Sequence, residues 1–189
     1  MLPLDAISRS LPERGTIVDL GCGQGVIAEH LALVRERRVL GVDSDSKRIE
    51  KAALRTAGVN NLSFQVGDIR TLDLRDLSGV VLSDVLHHVP PEDRPDLIAK
   101  IRRSLNPDGV LVIKEVDNAE FIRGRLSRLW DTLLYSKDQC FPFYSKQELT
   151  SLVCSSGFRV RRISREARLF PGSTTLYVFE QDNSLGHDL

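Results

Sequence analysis

Three aspartates stand where short apolar runs end. Asp19 lies within "TIVDL" (16–20), Asp43 closes "RVLGVD" (38–43), and Asp68 follows "LSFQV" (62–66). Between the first two comes "GCGQG", with glycines at 21, 23 and 25. Such a turn lets a ligand approach the backbone closely. A dinucleotide fingerprint, G-x-G-x-x-G, places its third glycine where the helix packs on the strand. Val26 occupies that place here, and the third glycine comes one residue early, at Gly25. The Gly-Lys-Ser/Thr of a phosphate-cradling loop is absent. The Asp19 carboxylate, just before the turn, repels phosphate and attracts a cation. An acid placed like Asp43 can accept hydrogen bonds from both hydroxyls of a ribose. Asp68 is placed to meet the far end of the same ligand.

A second set of residues could assist chemistry. "SDVLHHVPP" carries His87 and His88 after a fourth apolar run, where a histidine could take a proton. Asp84 competes for that role or is a buried structural acid. Trp130, Tyr135, Phe141, Phe143 and Tyr144 crowd a later stretch and could wall a pocket for a flat or apolar molecule. Tyr144 is the member of that group left open for a direct part in the reaction, whereas Trp130 reads as core. Cys22, Cys140 and Cys154 are odd in number and form no CxxC pair, so neither a disulfide framework nor a zinc site is expected.

These residues need elements to hold them. "TIVDL" reads as a buried strand, and "GVIAEHLALV" (25–34) as a helix with Ile27, Leu31 and Val34 on one face. "RVLGVD" is the next strand. "SDSKRIEKAALRTAG" (44–58) is a helix with Ile49, Ala52, Ala53 and Ala57 inward and Gly58 as its stop. Strands follow at 62–66 and 79–85, a helix at 91–105, and a strand at 109–116. Then the rhythm changes: a helix at 119–137, a loop at 138–144, a helix at 145–157 opened by a Ser145/Glu148 capping box, and strands at 158–164 and 174–181. The β-α-β-α order implies a parallel sheet covered on both faces, with ligands beyond the carboxyl ends of its strands. The last two strands suit an antiparallel pair at the edge. The strand ends therefore offer a cation site, a ribose site and an adenine site without a phosphate site. That combination fits S-adenosylmethionine.

"VDLGCGQG", "GVDSD", "VGDIRTL", "VVLSDVLHHVP" and "LNPDGVLVIKEVD", in this order, resemble the successive motifs of class I S-adenosylmethionine-dependent methyltransferases, most like the type-11 group of small-molecule enzymes. The resemblance implies an α/β fold with a Rossmann-like, doubly wound, mostly parallel seven-stranded sheet and an antiparallel strand near the C-terminus. It implies one domain over 1–189, with 117–145 an acceptor-site insertion and 182–189 a frayed tail. Asp19 would face the methionine amino group. Gly21, Cys22 and Gly23 would lie against methionine and ribose, with Gly25 completing the turn. Asp43 would hold the ribose hydroxyls, with Ser44 beside it. Asp68 would take the adenine amino group and the Ile69 backbone would meet the ring. Ser83 would close over the methionine portion. His88 is the better base candidate by family position, with Tyr144 at the acceptor. No metal is required, because the leaving group is a neutral thioether. The acceptor is expected to be a small molecule; the Pro-Pro-Tyr of adenine and glutamine-amide methylation is missing.

Composition narrows the classes. The 26 basic and 26 acidic residues balance, which argues against a dedicated nucleic-acid binder. The late-middle stretch is locally basic, as a solvated arginine face would be. No apolar run is long enough to span a bilayer, and "MLPLDAISRSLPERG" does not read as a signal peptide, so a cytoplasmic protein is expected. Three rivals remain: a nicotinamide-dependent oxidoreductase, an enzyme that uses the same fold to transfer an aminopropyl group, and a regulatory protein that keeps the cofactor pocket without chemistry. Oligomeric state and the acceptor atom stay open.

Overall fold

The structure, a computed structural model, describes residues 2–116, 144–166 and 174–183. Its elements are α1 (Leu4–Ser10), β1 (Gly15–Leu20), α2 (Val26–Leu31), β2 (Arg37–Asp43), α3 (Ser46–Arg55), β3 (Leu62–Val66), β4 (Leu77–Ser83), a 3₁₀ turn (Leu86–His88), α4 (Arg94–Ser104), β5 (Leu105–Val116), α5 (Lys146–Ser155), β6 (Phe158–Glu166) and β7 (Thr174–Gln181). The seven strands form one sheet in the order β3-β2-β1-β4-β5-β7-β6. β1 pairs in parallel with β2 and β4, β2 with β3, and β4 with β5. β7 runs antiparallel between β5 and β6, which leaves β6 at the edge. The strand order reverses between β1 and β4. A crevice opens at such a point above the carboxyl ends, and the glycine turn follows β1 directly into it.

Alternation along the strands divides the core in two. Ile17, Val39, Val81, Val112, Leu176 and Val178 face Ile7 and Leu11 near α1 and Ile27 and Leu31 of α2. Val18, Leu20, Val80, Leu82, Leu111, Ile113 and Phe179 face Leu97, Ile98 and Ile101 of α4 and Leu149 and Val153 of α5. Asp19, two residues on from Ile17, thus points to the α2 side, a carboxylate in an otherwise apolar row. The capping box of α5 is formed as expected: Ser145 Oγ accepts from the Glu148 N–H, and the Glu148 carboxylate accepts from the Ser145 N–H. Asp45 caps α3, taking the Lys47 and Arg48 N–H groups at 2.9 and 3.2 Å.

Three details differ from the expectation. α1 was not anticipated; it is seven residues long, and Arg37 ties it down. Buried at 2 % exposure, Arg37 donates to the Ser8 and Pro12 carbonyls, both at 2.8 Å, and to Ser8 Oγ at 2.9 Å. Ala53 and Ala57 are exposed rather than inward, because α3 buries the narrower stripe Ile49, Ala52 and then Thr56 beyond its last turn. β4 and β5 begin earlier than their apolar runs, at Leu77 and Leu105, where those two residues pair across the sheet. The segment 117–143, with its expected helix, Trp130, Tyr135, Phe141 and Phe143, lies outside the described residues, as do 184–189 of the tail.

Candidate active site at the carboxyl ends of the strands

The glycine turn is bound to the end of β2. The Gly21 and Cys22 N–H groups both donate to the Val42 carbonyl, at 2.7 and 2.9 Å. Gly23 has φ +54°, and a Cβ added to it would meet nothing within 4 Å, so its open side is free for a ligand. Gly25 has φ +74°, and a Cβ there would fall 2.5 Å from the Phe64 ring, so this glycine lets the start of α2 approach β3. The spacing that departs from a dinucleotide fingerprint therefore serves helix packing one residue early.

Asp19 is 1 % exposed. Burial pushes its carboxyl up to about 7, against the opposing effect of the Ala28 N–H in the first turn of α2, and the Asp43 charge adds to the rise. Its Oδ2 is buried and has no hydrogen-bond partner. A buried carboxylate oxygen in that state is costly unless a donor arrives. An ammonium group supplies both the donor and the opposite charge.

Asp43 does more than face a cleft. Its Oδ2 accepts from the Gly23 N–H at 2.8 Å and its Oδ1 from the Asp45 N–H at 2.9 Å. The carboxylate holds the middle of the glycine turn to the loop that opens α3. Each oxygen keeps a further lone-pair direction for a hydroxyl. Cys22 sits between the two acids; burial first, then the Asp19 and Asp43 charges, push its thiol above the ordinary range. It is no nucleophile at neutral pH. Ser44 is exposed beside Asp43, and Ser83 is half-buried at the end of β4.

Asp68 follows β3 and closes a turn on itself, accepting the Arg70 N–H at 2.9 Å. The Arg70 guanidinium grips the same carboxylate at 3.1 and 2.7 Å and reaches Asp93 at 2.9 Å. That hydrogen bonding to Arg70 holds the Asp68 carboxyl below its usual range. Ile69 packs partly buried against the α4 side of the core.

The far side of the crevice is built by β4, β5 and the start of α5. Asp84 adopts φ +56°, a strained conformation for a residue with a side chain, and pairs with the buried Lys114 ammonium. Its Oδ1 is buried without a partner. Glu115, the next residue of β5, accepts the Leu86 N–H at 3.0 Å and faces His87 Nδ1 at 3.1 Å. A small cavity lies here, lined by Leu86, His87, Arg94, Glu115, Tyr144, Leu149 and Tyr177. The structure thus brings Tyr144 together with His87. His88 is exposed at the end of the same 3₁₀ turn, its ring centroid 4.1 Å from that of His87. Lys114, Glu115 and Arg94 were missed by the sequence reading. The first two had a readable signal: a charged pair ends the apolar run "GVLVI" at the carboxyl edge of a strand. Among the described residues, no group of three or more His, Cys, Asp or Glu stands together to hold a metal ion, and no helix is long and apolar enough to cross a membrane.

Comparison with known proteins agrees with this geometry. Residues 17–109 match a family model described as a methyltransferase domain. Carboxy-S-adenosyl-L-methionine synthase of Shewanella baltica is 35 % identical over 117 residues, which cover 59 % of this chain and 48 % of that protein. The enzyme of the same name from Actinobacillus succinogenes is 35 % identical over 107 residues, 52 % of this chain and 44 % of that one. The chain spans about half the length of the curated relatives it matches. Among solved structures, an S-adenosylmethionine-dependent methyltransferase from Mesorhizobium loti superposes with a TM-score of 0.77 at 18 % identity, over 94 % of this chain and 96 % of that one. One from Methanosarcina mazei gives 0.73 at 22 %, over 96 % and 98 %. Magnesium protoporphyrin IX methyltransferase from Synechocystis, solved with S-adenosylhomocysteine bound, gives 0.75 at 18 %, over 94 % and 81 %. The family model over residues 17–109 is that of a methyltransferase domain, and the strand order is shared with solved S-adenosylmethionine-dependent methyltransferases, so the chain resembles that family and has its fold.

Proposed function

We propose that this protein transfers the methyl group of S-adenosylmethionine to a small-molecule acceptor. The observation that carries the reading is the buried, unpartnered Oδ2 of Asp19 beside a glycine turn with an open face. A cationic amino group completes it, and a phosphate-bearing cofactor does not. Asp43 then presents its remaining lone pairs to the ribose, Gly21, Cys22 and Gly23 line the approach, and Gly25 sets the turn. Ser44 lies beside the ribose, Asp68 and Ile69 mark the adenine end, and Ser83 covers the methionine end. The bound cofactor supplies a methyl group on a sulfonium, a reactive electrophile with a neutral leaving group.

The chain's remaining task is to hold the acceptor atom in line with that methyl. The acceptor lies toward 117–145, with Tyr144 at its wall. A base is needed only where the acceptor carries a proton that must leave. The candidates are His88, at the exposed mouth of the loop, and His87, held by Glu115 in the cavity. Nucleic acid and membrane are not substrates in this reading, and the protein works in the cytoplasm. The name of the curated relatives raises a second reading, in which the product is a carboxylated S-adenosylmethionine and no acceptor is methylated. Their 35 % identity over 117 residues keeps it as an experimental alternative.

Thermal unfolding with S-adenosylmethionine, S-adenosylhomocysteine and NADH tests the reading. A ligand at a hundred times its Kd stabilises by about 2.7 kcal/mol. The two nucleosides are expected to raise the midpoint and NADH to leave it unchanged. Absence of any shift with either nucleoside, in folded protein, overturns the proposal. Mass spectrometry of the nucleoside pool after incubation with candidate acceptors separates formation of S-adenosylhomocysteine from formation of a carboxylated S-adenosylmethionine.

A further inference from the structure

Arg94 carries a buried charge with no counterion among the described residues. It is 2 % exposed. Its Nε donates to the Val89 carbonyl at 2.8 Å, and its guanidinium carbon lies 4.6 Å from the centroid of the Tyr144 ring. Nη2 is buried and meets no acceptor. Glu115 lines the same cavity but is engaged, by the Leu86 N–H through one oxygen and His87 Nδ1 through the other. A guanidinium out of water and away from a carboxylate is unfavourable, and its ring contact with Tyr144 offsets only part of the loss. Arg94 is the first residue of α4, and its side chain is turned inward.

We propose that this cavity receives a carboxylate group of the methyl acceptor, with Arg94 Nη2 as its donor. The inference rests on the reading of this end of the sheet as the acceptor side. The two N–H groups of Nη2 suit a single carboxylate. A phosphate dianion would bring twice the negative charge toward Glu115, so it fits poorly. Tyr144, Tyr177, Leu86 and Leu149 line a cavity whose free space takes about one water-sized group, so the oxygen of a carboxylate enters it and the rest of the acceptor stays outside. A water molecule alone satisfies the hydrogen bond but leaves the charge without a partner.

The test uses the full chain, labelled with nitrogen-15 and saturated with S-adenosylhomocysteine. The Nε–H resonance of Arg94 is assigned by its loss in Arg94→Lys. Three carboxylates (acetate, benzoate and 4-hydroxybenzoate) are titrated against acetamide, benzamide and 4-hydroxybenzamide. The carboxylates are expected to move that resonance to saturation, at least one of them binding about ten- to a hundredfold tighter than its amide. Arg94→Met is expected to abolish the preference while affinity for S-adenosylhomocysteine stays within about threefold, below the tenfold that 1.4 kcal/mol represents. Equal binding of acids and amides, or no response at tens of millimolar probe, means that the cavity holds water only and overturns the proposal. Should Arg94→Met fail to fold, the acid-against-amide comparison in the unaltered protein still decides. Failure to bind S-adenosylhomocysteine counts against the methyl-transfer reading instead, and the same titration of the unliganded protein then judges Arg94 by itself.

Discussion

Replacing Asp19 by asparagine is expected to stabilise the ligand-free protein above neutral pH and to destabilise it in mild acid. The carboxyl is lifted from 3.8 to about 7, first by burial. Between those values the folded chain holds a proton that the unfolded chain releases. Stability contributed by this group therefore falls as pH rises from about 4 to about 7, and is flat above. At 1.36 kcal/mol per unit, ionising Asp19 in the empty site costs roughly 4 kcal/mol at pH 8. Asparagine removes that cost. It keeps an oxygen for the Ala28 N–H but sets an amide NH₂ where Oδ2 has no partner, a loss of about 1–3 kcal/mol. The net expectation is a gain of roughly 1–3 kcal/mol at pH 8 and a loss of similar size at pH 4, where wild-type Asp19 is already neutral. Urea unfolding of both proteins at the two pH values measures this directly. Calorimetry at pH 8 should show the opposite for function: affinity for S-adenosylhomocysteine drops about tenfold or more in the asparagine variant, because the amino group loses its counterion. A variant equally destabilised at both pH values would refute the reasoning, since ionising Asp19 would then cost the fold nothing.

Asp43→Ala should weaken S-adenosylhomocysteine about tenfold or more and also lower stability by about 2 kcal/mol, because the Gly23 and Asp45 N–H groups lose their acceptor; calorimetry and urea unfolding read the two effects, and unchanged values in both would dismiss the anchoring role. Asp43→Asn, with one acceptor oxygen left, should fall between the two. Arg37→Met should cost about 2–4 kcal/mol by urea unfolding, since it frees the Ser8 and Pro12 carbonyls that hold α1. Its affinity for S-adenosylhomocysteine should stay within about threefold, well under 1.4 kcal/mol, and a larger loss would mean that α1 contributes to the cofactor site.

What could be read from the sequence was whatever the chain states locally. The strand runs alternate with helices whose caps are spelled in adjacent residues, Asp45 for α3 and Ser145 with Glu148 for α5, so most elements could be placed by inspection. The cofactor side was legible for the same reason: Asp19, the glycine turn and Asp43 each sit at a strand end, and parallel pairing brings strand ends together without further information. Even there, residue types mislead about division of labour. Asp43 looks like a ligand group facing a cleft, and the fold also uses it to tie Gly23 to the start of α3. The side proposed for the acceptor was less legible because its contacts join residues distant in sequence. Glu115 finds His87 across 28 residues, and Arg94 meets the Tyr144 ring from another helix. Neither pairing follows from spacing. His88 is preferred to His87 by family position, and the fold adds that His87 faces Glu115 whereas His88 is exposed. The short α1 was hidden for a related reason: its stability comes from Arg37, which reaches back from β2, and not from its own seven residues. Charges read as surface decoration in a sequence become structural when a fold buries them, and in this chain Arg37, Arg94, Lys114 and Glu115 are all buried.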